Sequence, residues 1–236
     1  MNNTRTLKGL LLMNKLIIES NELFKNCGFP YYICGGFALE LFLGKTIRTH
    51  GDLDISIFEE NRKDAVELLL ATGWDVYQRG QFQKQIFDSD DPLVLECRNI
   101  WAIKPGSPVV VAPIEGEENL YDYKIVEGQQ TAFNFIEMVI DIKKGDHFGF
   151  RGHKVLSRAM DKAILYKDGI PYMAPELVLF LKSHKSYLTH EFHKEKTPVD
   201  FKAMIPALPD ENREWLINAI ELAYPKGNVW LEELKK

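Results

Sequence analysis

The sequence predicts an α+β fold: a mixed β-sheet flanked by helices, followed by a helical C-terminal part. Three observations carry this expectation. Between Trp74 and Phe150, short β-rich runs alternate with Gly, Pro, Asp and Asn clusters, the pattern of strands joined by turns. Ahead of that stretch, apolar residues recur at helical spacing around the strand-like runs YYIC and DLDISIF. After Gly169 the periodicity turns helical again, with prolines at or near the expected helix starts. The expected division is a domain over 1–170 and a helical subdomain over 171–236.

The elements follow in chain order. Leu7, Leu10, Met13, Ile17 and Phe24 space a first helix over about Thr6 to Cys27, and Asn26, Gly28 and Pro30 close it. Tyr31 to Cys34 is a short buried strand running into the pair Gly35-Gly36. FALELFL makes a short helix closed by Gly44. DLDISIF is a strand. NRKDAVELLLATG is a helix, with Asn61 at its N-cap and Gly73 after its end. WDVY, QKQIF, LVLECR, PVVVA, YDYKIV and the longer TAFNFIEMVIDI are read as strands. APELVLFLKSHKSYL, TPVDFKAMIPAL and DENREWLINAIELAY are read as helices, the last with Asp210 as N-cap.

With 236 residues, 45% of them hydrophobic and 27% charged, the chain can bury a real core and is not a disordered or disulfide-scaffold protein. A net charge of −5 argues against coating nucleic acid, though a few local cations can still hold a small polyanion. Cys27, Cys34 and Cys97 form no C-x-x-C pair and are expected as reduced thiols. The apolar run Leu10 to Met13 is too short to span a bilayer, so a cytoplasmic protein without membrane attachment is expected.

Two aspartates in one strand-like run demand a reason, because acids are depleted in strands. Side chains i and i+2 share a strand face, so Asp52 and Asp54 project together while Leu53 and Ile55 turn to the other side. Paired carboxylates repel unless a cation lies between them, and Mg²⁺ takes such carboxylates together with phosphate oxygens. The glycine pair fits that picture. Gly35 and Gly36 permit close backbone approach, and amides at a helix N-terminus favour phosphate. Arg48 and His50 lie in the following turn, where they can help neutralise phosphate charge.

GG, a short helix and R-x-H-x-DLDI resemble the nucleotidyltransferase superfamily that includes DNA polymerase beta. The similarity is greatest to the aminoglycoside 2''-adenylyltransferase-like antibiotic nucleotidyltransferases, and GIPYMAPELVLFLKSHK and TPVDFKAMIPAL also resemble that group. The resemblance implies a nucleotidyltransferase-type mixed sheet and a third carboxylate from a later strand. Glu137 is favoured for it over Asp141 in FNFIEMVID, with Glu96 behind both. It further implies two Mg²⁺ ions, ATP or another NTP as donor, and Lys182 near the triphosphate. The acceptor would be a hydroxyl on a small molecule such as an aminoglycoside or lincosamide, which would make the protein an antibiotic-resistance transferase. Alternatives are a toxin-like transferase acting on protein or RNA, and a non-catalytic protein retaining the fold. One departure stands out: Phe37 follows the glycine pair where many members carry Ser, so phosphate binding would fall on backbone and cations.

Other features read more plainly. HEFHKEK lacks the H-E-x-x-H spacing and is expected as a solvated loop or helix end. RGHKVLSR is expected as surface charge, and the tryptophans as packing, with Trp101 and Tyr121 candidates to border an acceptor pocket.

Overall fold

A computed structural model describes residues 15–126, 130–191 and 193–236. Helix α1 covers 15–24 of these and buries Leu16, Ile17, Ser20 and Phe24. Leu7, Leu10 and Met13, read as the start of that helix, lie outside the described residues. Strand β1 (Tyr31–Ile33) leads through Cys34 into helix α2 (Gly35–Leu43). Gly44 ends α2 at φ 68°, and its N–H bonds the Glu40 carbonyl, the left-handed stop its sequence predicts.

The chain forms two compact units: 1–33 with 49–143, and 34–48 with 144–236. The first unit holds β1, β2 (Asp54–Phe58), α3 (Arg62–Ala71), β3 (Asp75–Gln78), β4 (Lys84–Ile86), α4 (Pro92–Glu96), β5 (Asn99–Ile103), β6 (Val109–Pro113), β7 (Tyr121–Ile125) and β8 (Phe135–Lys144). Its strands lie in the order β1-β2-β8-β5-β3-β4, and β2 and β8 run parallel within otherwise antiparallel pairing. Leu53, Ile55, Ile57, Ile100, Ile136 and Met138 are wholly buried along the central strands. Each such burial stabilises the unit by roughly 1.5–3 kcal/mol. Strands β6 and β7 form a separate ribbon, whose Val109, Val111, Tyr121 and Tyr123 pack with Tyr77, Trp101, Ile103 and Phe135.

LVLECR is not a strand. Residues 92–96 form α4, because the Asp91 side chain accepts from the Leu93 N–H at 2.9 Å and Pro92 occupies the first helical position. That start signal decides a run whose Leu93, Val94 and Leu95 fit a strand or a helix equally. Asn61 does sit at the N-cap of α3, but its side chain makes no capping bond.

The second unit holds α2, β9 (His147–Phe150), β10 (His153–Ala159), α5 (Met160–Ala163), β11 (Ile164–Lys167), β12 (Ile170–Met173), α6 (Pro175–Lys182), α7 (Lys185–Thr189), α8 (Lys196–Met204), α9 (Asp210–Ala223) and α10 (Leu231–Leu234). Strands β9 and β10 pair as one hairpin, and β11 and β12 as another. Helix α2 packs on α6 and α8, and α6 packs on α9. The run APELVLFLKSHKSYL breaks at Ser183-His184 into α6 and α7, with the His184 ring capping the Ser186 N–H. Pro209, not Asp210, holds the N-cap place of α9. RGHKVLSR is not all surface charge: Arg158 is buried, held by Glu176 at 2.8 Å and lying over Trp215.

Candidate functional site

The parallel pairing of β2 with β8 places Asp54 directly beside Glu137. Asp52 lies just ahead of β2, with the wholly buried Leu53 between the two aspartates turned the other way. The outcome is a triad. One carboxylate oxygen from each of Asp52, Asp54 and Glu137 lies within 4.8 Å of the others. Among the described residues no other set of three or more His, Cys, Asp or Glu side chains converges this way. All three are partly exposed, so the cluster opens to solvent while the backbone of Asp54 and Glu137 stays in the sheet.

Glu137 is the most constrained of the three. Its Oε1 accepts from Asn99 Nδ2 at 2.8 Å and pairs with Arg79 Nη1 at 3.2 Å. Asn99 and Trp101 come from β5, where Trp101 is directly opposite Glu137. The Arg79 guanidinium also lies over the Trp101 ring, 5.3 Å from its centroid. Burial pushes the Glu137 carboxyl above its ordinary value; the Asp52 charge adds to the rise, and Arg79 and Asn99 oppose it.

The other third-acid candidates are elsewhere. Asp141 lies four residues along β8 from Glu137 and accepts the Tyr32 hydroxyl at 2.8 Å. Four strand residues span about 13 Å, which removes it from the cluster. Glu96 is exposed in α4. Trp101 is buried against Tyr123 and Phe135, and the Tyr121 hydroxyl bonds Gln85 at 2.7 Å. These two aromatic residues pack the ribbon onto the sheet rather than presenting open faces. His190 and His193 approach each other but join no metal-competent group among the described residues.

In the second unit Gly35 opens α2 at φ 62°, a left-handed conformation that glycine adopts without steric cost. Cys34 precedes it in extended backbone and supplies no capping side chain, and Gly36 and Phe37 are buried. Arg48 and Lys182 come together on one acid. Asp200, wholly buried, takes Arg48 Nε at 2.8 Å and Nη2 at 3.1 Å, and Lys182 Nζ at 3.1 Å. Burial alone would raise the Asp200 carboxyl, but the Arg48 hydrogen bond and the two cationic charges more than reverse it, leaving it below the ordinary value. Glu40 Oε1 accepts from the N–H groups of Ile47 at 2.6 Å and Arg48 at 3.2 Å, which fixes the turn that carries Arg48. His50 is buried in the first unit.

Asn99, Arg79 and Asp200 escaped the sequence reading. Asn99 and Arg79 meet Glu137 only through strand register, which no local pattern reveals. Asp200 had a signal: it is a lone acid between Val199 and Phe201 in an otherwise apolar helical stripe.

A family model described as aminoglycoside-2''-adenylyltransferase matches residues 16–123. That match covers just under half of the chain, which over those residues is similar to the aminoglycoside adenylyltransferases. Two solved structures share this fold. The solution structure of the antibiotic-resistance factor ANT(2'')-Ia is 13% identical, with 96% of each chain covered and a TM-score of 0.50. The crystal structure of ANT(2'')-Ia in complex with adenylyl-2''-tobramycin is 11% identical, covering 92% of this chain and 98% of that one at a TM-score of 0.51. Among curated proteins none matches this chain. No helix among its described residues is long and apolar enough to cross a membrane.

Proposed function

We propose that this nucleotidyltransferase moves a nucleoside monophosphate from an NTP, ATP first among them, to a hydroxyl of an aminoglycoside or lincosamide antibiotic, with Mg²⁺ as cofactor. The observation that carries the reading is the convergence of Asp52, Asp54 and Glu137 within 4.8 Å. Three hard oxygen donors, two on adjacent parallel strands and Asp52 just ahead of one of them, suit Mg²⁺, which prefers carboxylate and phosphate oxygen, and they would hold it. A divalent cation there would supply charge neutralisation on the triphosphate and a lowered pKa for the acceptor hydroxyl.

The remaining work falls to the chain. Gly35 and Gly36 bring backbone N–H groups at the start of α2 to the phosphates, the task that a Ser hydroxyl would share if Phe37 were absent. Nucleotide-binding roles are assigned also to Arg48, His50 and Lys182 as hydrogen-bond donors; Asp200 orients Arg48 and Lys182. Glu137 takes the proton from the attacking hydroxyl, a role favoured by a carboxyl whose affinity for protons is raised by burial. The acceptor oxygen bonds the α-phosphorus, the bond to the β-phosphate oxygen breaks, and pyrophosphate leaves. The catalytic acids fall within the proposed 1–170 domain and Lys182 within the helical subdomain.

The test is incubation with each α-labelled NTP, Mg²⁺ and a panel of aminoglycosides and lincosamides, reading label on the antibiotic and release of pyrophosphate. Label on one antibiotic class supports the reading. Label entering only protein or RNA of a cell extract, or no nucleotide binding by the folded chain, overturns it.

A further inference from the structure

Glu137 has a longer and freer arm than an aspartate at the same place, and a general base or metal ligand acts only when held within a fraction of an ångström. We infer that Arg79 and Asn99 are positioning residues that lock Glu137 for its role in the triad; this rests on the function proposed above. Both donors reach the same oxygen, Oε1, Asn99 from β5 and Arg79 from just past the end of β3. They fix the carboxylate plane and leave Oε2 as the oxygen those donors do not occupy. Each donor is itself held. The Arg79 N–H bonds the Asn99 carbonyl at 3.1 Å, tying the end of β3 to the start of β5, and its guanidinium lies over Trp101. Trp101 in turn is locked edge-on between Tyr123 and Phe135. The β6–β7 ribbon therefore supports the triad through Trp101 and Arg79.

Arg79 is well exposed for a structural ion pair, with 43% of its side chain open to solvent. Water can take the place of the half-exposed guanidinium beside Glu137, so the fold should survive its loss. That separates positioning from scaffolding. The variants are Asn99→Ala, Arg79→Ala and Arg79→Lys, compared with wild type for kcat, for KM of nucleotide and acceptor, for thermal midpoint and for Mn²⁺ affinity by calorimetric titration without nucleotide. The expected result is at least a tenfold loss of kcat in Asn99→Ala and Arg79→Ala, with both KM values changed less than threefold. Asn99→Ala should also weaken Mn²⁺ several-fold, because it loosens the ligand without changing charge. Arg79→Lys, which keeps charge but loses the planar stack, should recover only part of kcat. Unchanged kcat and Mn²⁺ affinity in Asn99→Ala would overturn the inference, as would a loss of kcat matched by unfolding. If wild type transfers no nucleotide, the proposed function fails, while the Mn²⁺ comparison still decides whether Glu137 is positioned by these two residues.

Discussion

Neutralising one member of the acid triad should make the cation-free protein more stable and the protein in Mg²⁺ less responsive. Asp52 is the member to change, since Asp54 and Glu137 belong to the sheet ladder and Asp52 precedes it. At 4.8 Å, two unit charges repel by about 3 kcal/mol at an effective dielectric of 20 and about 1 kcal/mol in bulk water. Partial exposure and the Arg79 cation put the expected gain for Asp52→Asn near the lower figure. For a chain of this size, about 1 kcal/mol is a rise of roughly 2–4 °C in thermal midpoint. In excess Mg²⁺ the order should reverse. Wild type gains about 2.7 kcal/mol when the free ion stands at a hundred times its Kd, whereas Asp52→Asn should gain little. Scanning calorimetry of both proteins in chelator and in Mg²⁺ measures all four values. If Asp52→Asn melts at or below wild type in chelator and responds equally to Mg²⁺, the carboxylates are not held together against repulsion for a cation, and the reasoning fails.

Other expectations are as direct. Asp200→Ala leaves Arg48 and Lys182 without their buried counter-ion and should cost about 3–5 kcal/mol in urea unfolding. Because the Asp200 carboxyl is lowered in the folded protein, its stabilisation is fully present above the unfolded value of about 4 and is lost as pH falls through the folded one. The gap between wild type and Asp200→Ala should thus narrow on acidification below about pH 4; a gap that widens there contradicts the ion-pair assignment. Gly35→Ala forces a side chain into a left-handed conformation and should cost about 1–2 kcal/mol, with weaker nucleotide binding by calorimetry. Full retention of nucleotide affinity in Gly35→Ala would remove the glycine pair from the phosphate site.

What was legible in the sequence was whatever is local. The α2 stop at Gly44 follows from one residue's conformational freedom, and the shared direction of Asp52 and Asp54 follows from the two-residue period of a strand. The choice of Glu137 over Asp141 came from resemblance; the parallel register that sets Glu137 and not Asp141 beside Asp54 leaves no local trace in the sequence. LVLECR misled because a short apolar run fits strand and helix alike, and the Asp91-Pro92 start signal lies just ahead of it. Arg79, Asn99 and Asp200 were hidden for a different reason. Asp200 meets Arg48 across 152 positions of chain, and such partners exist only once the fold has brought distant segments together.

The central claim is that Asp52, Asp54 and Glu137 jointly hold a divalent cation for a nucleoside triphosphate. Calorimetric titration of ATP into the folded chain, with Mg²⁺ and then with chelator, tests it most directly when wild type is run beside Asp52→Asn/Asp54→Asn. The account predicts tight binding by wild type that collapses in chelator and in the double variant. Equal affinity in all four titrations would contradict it.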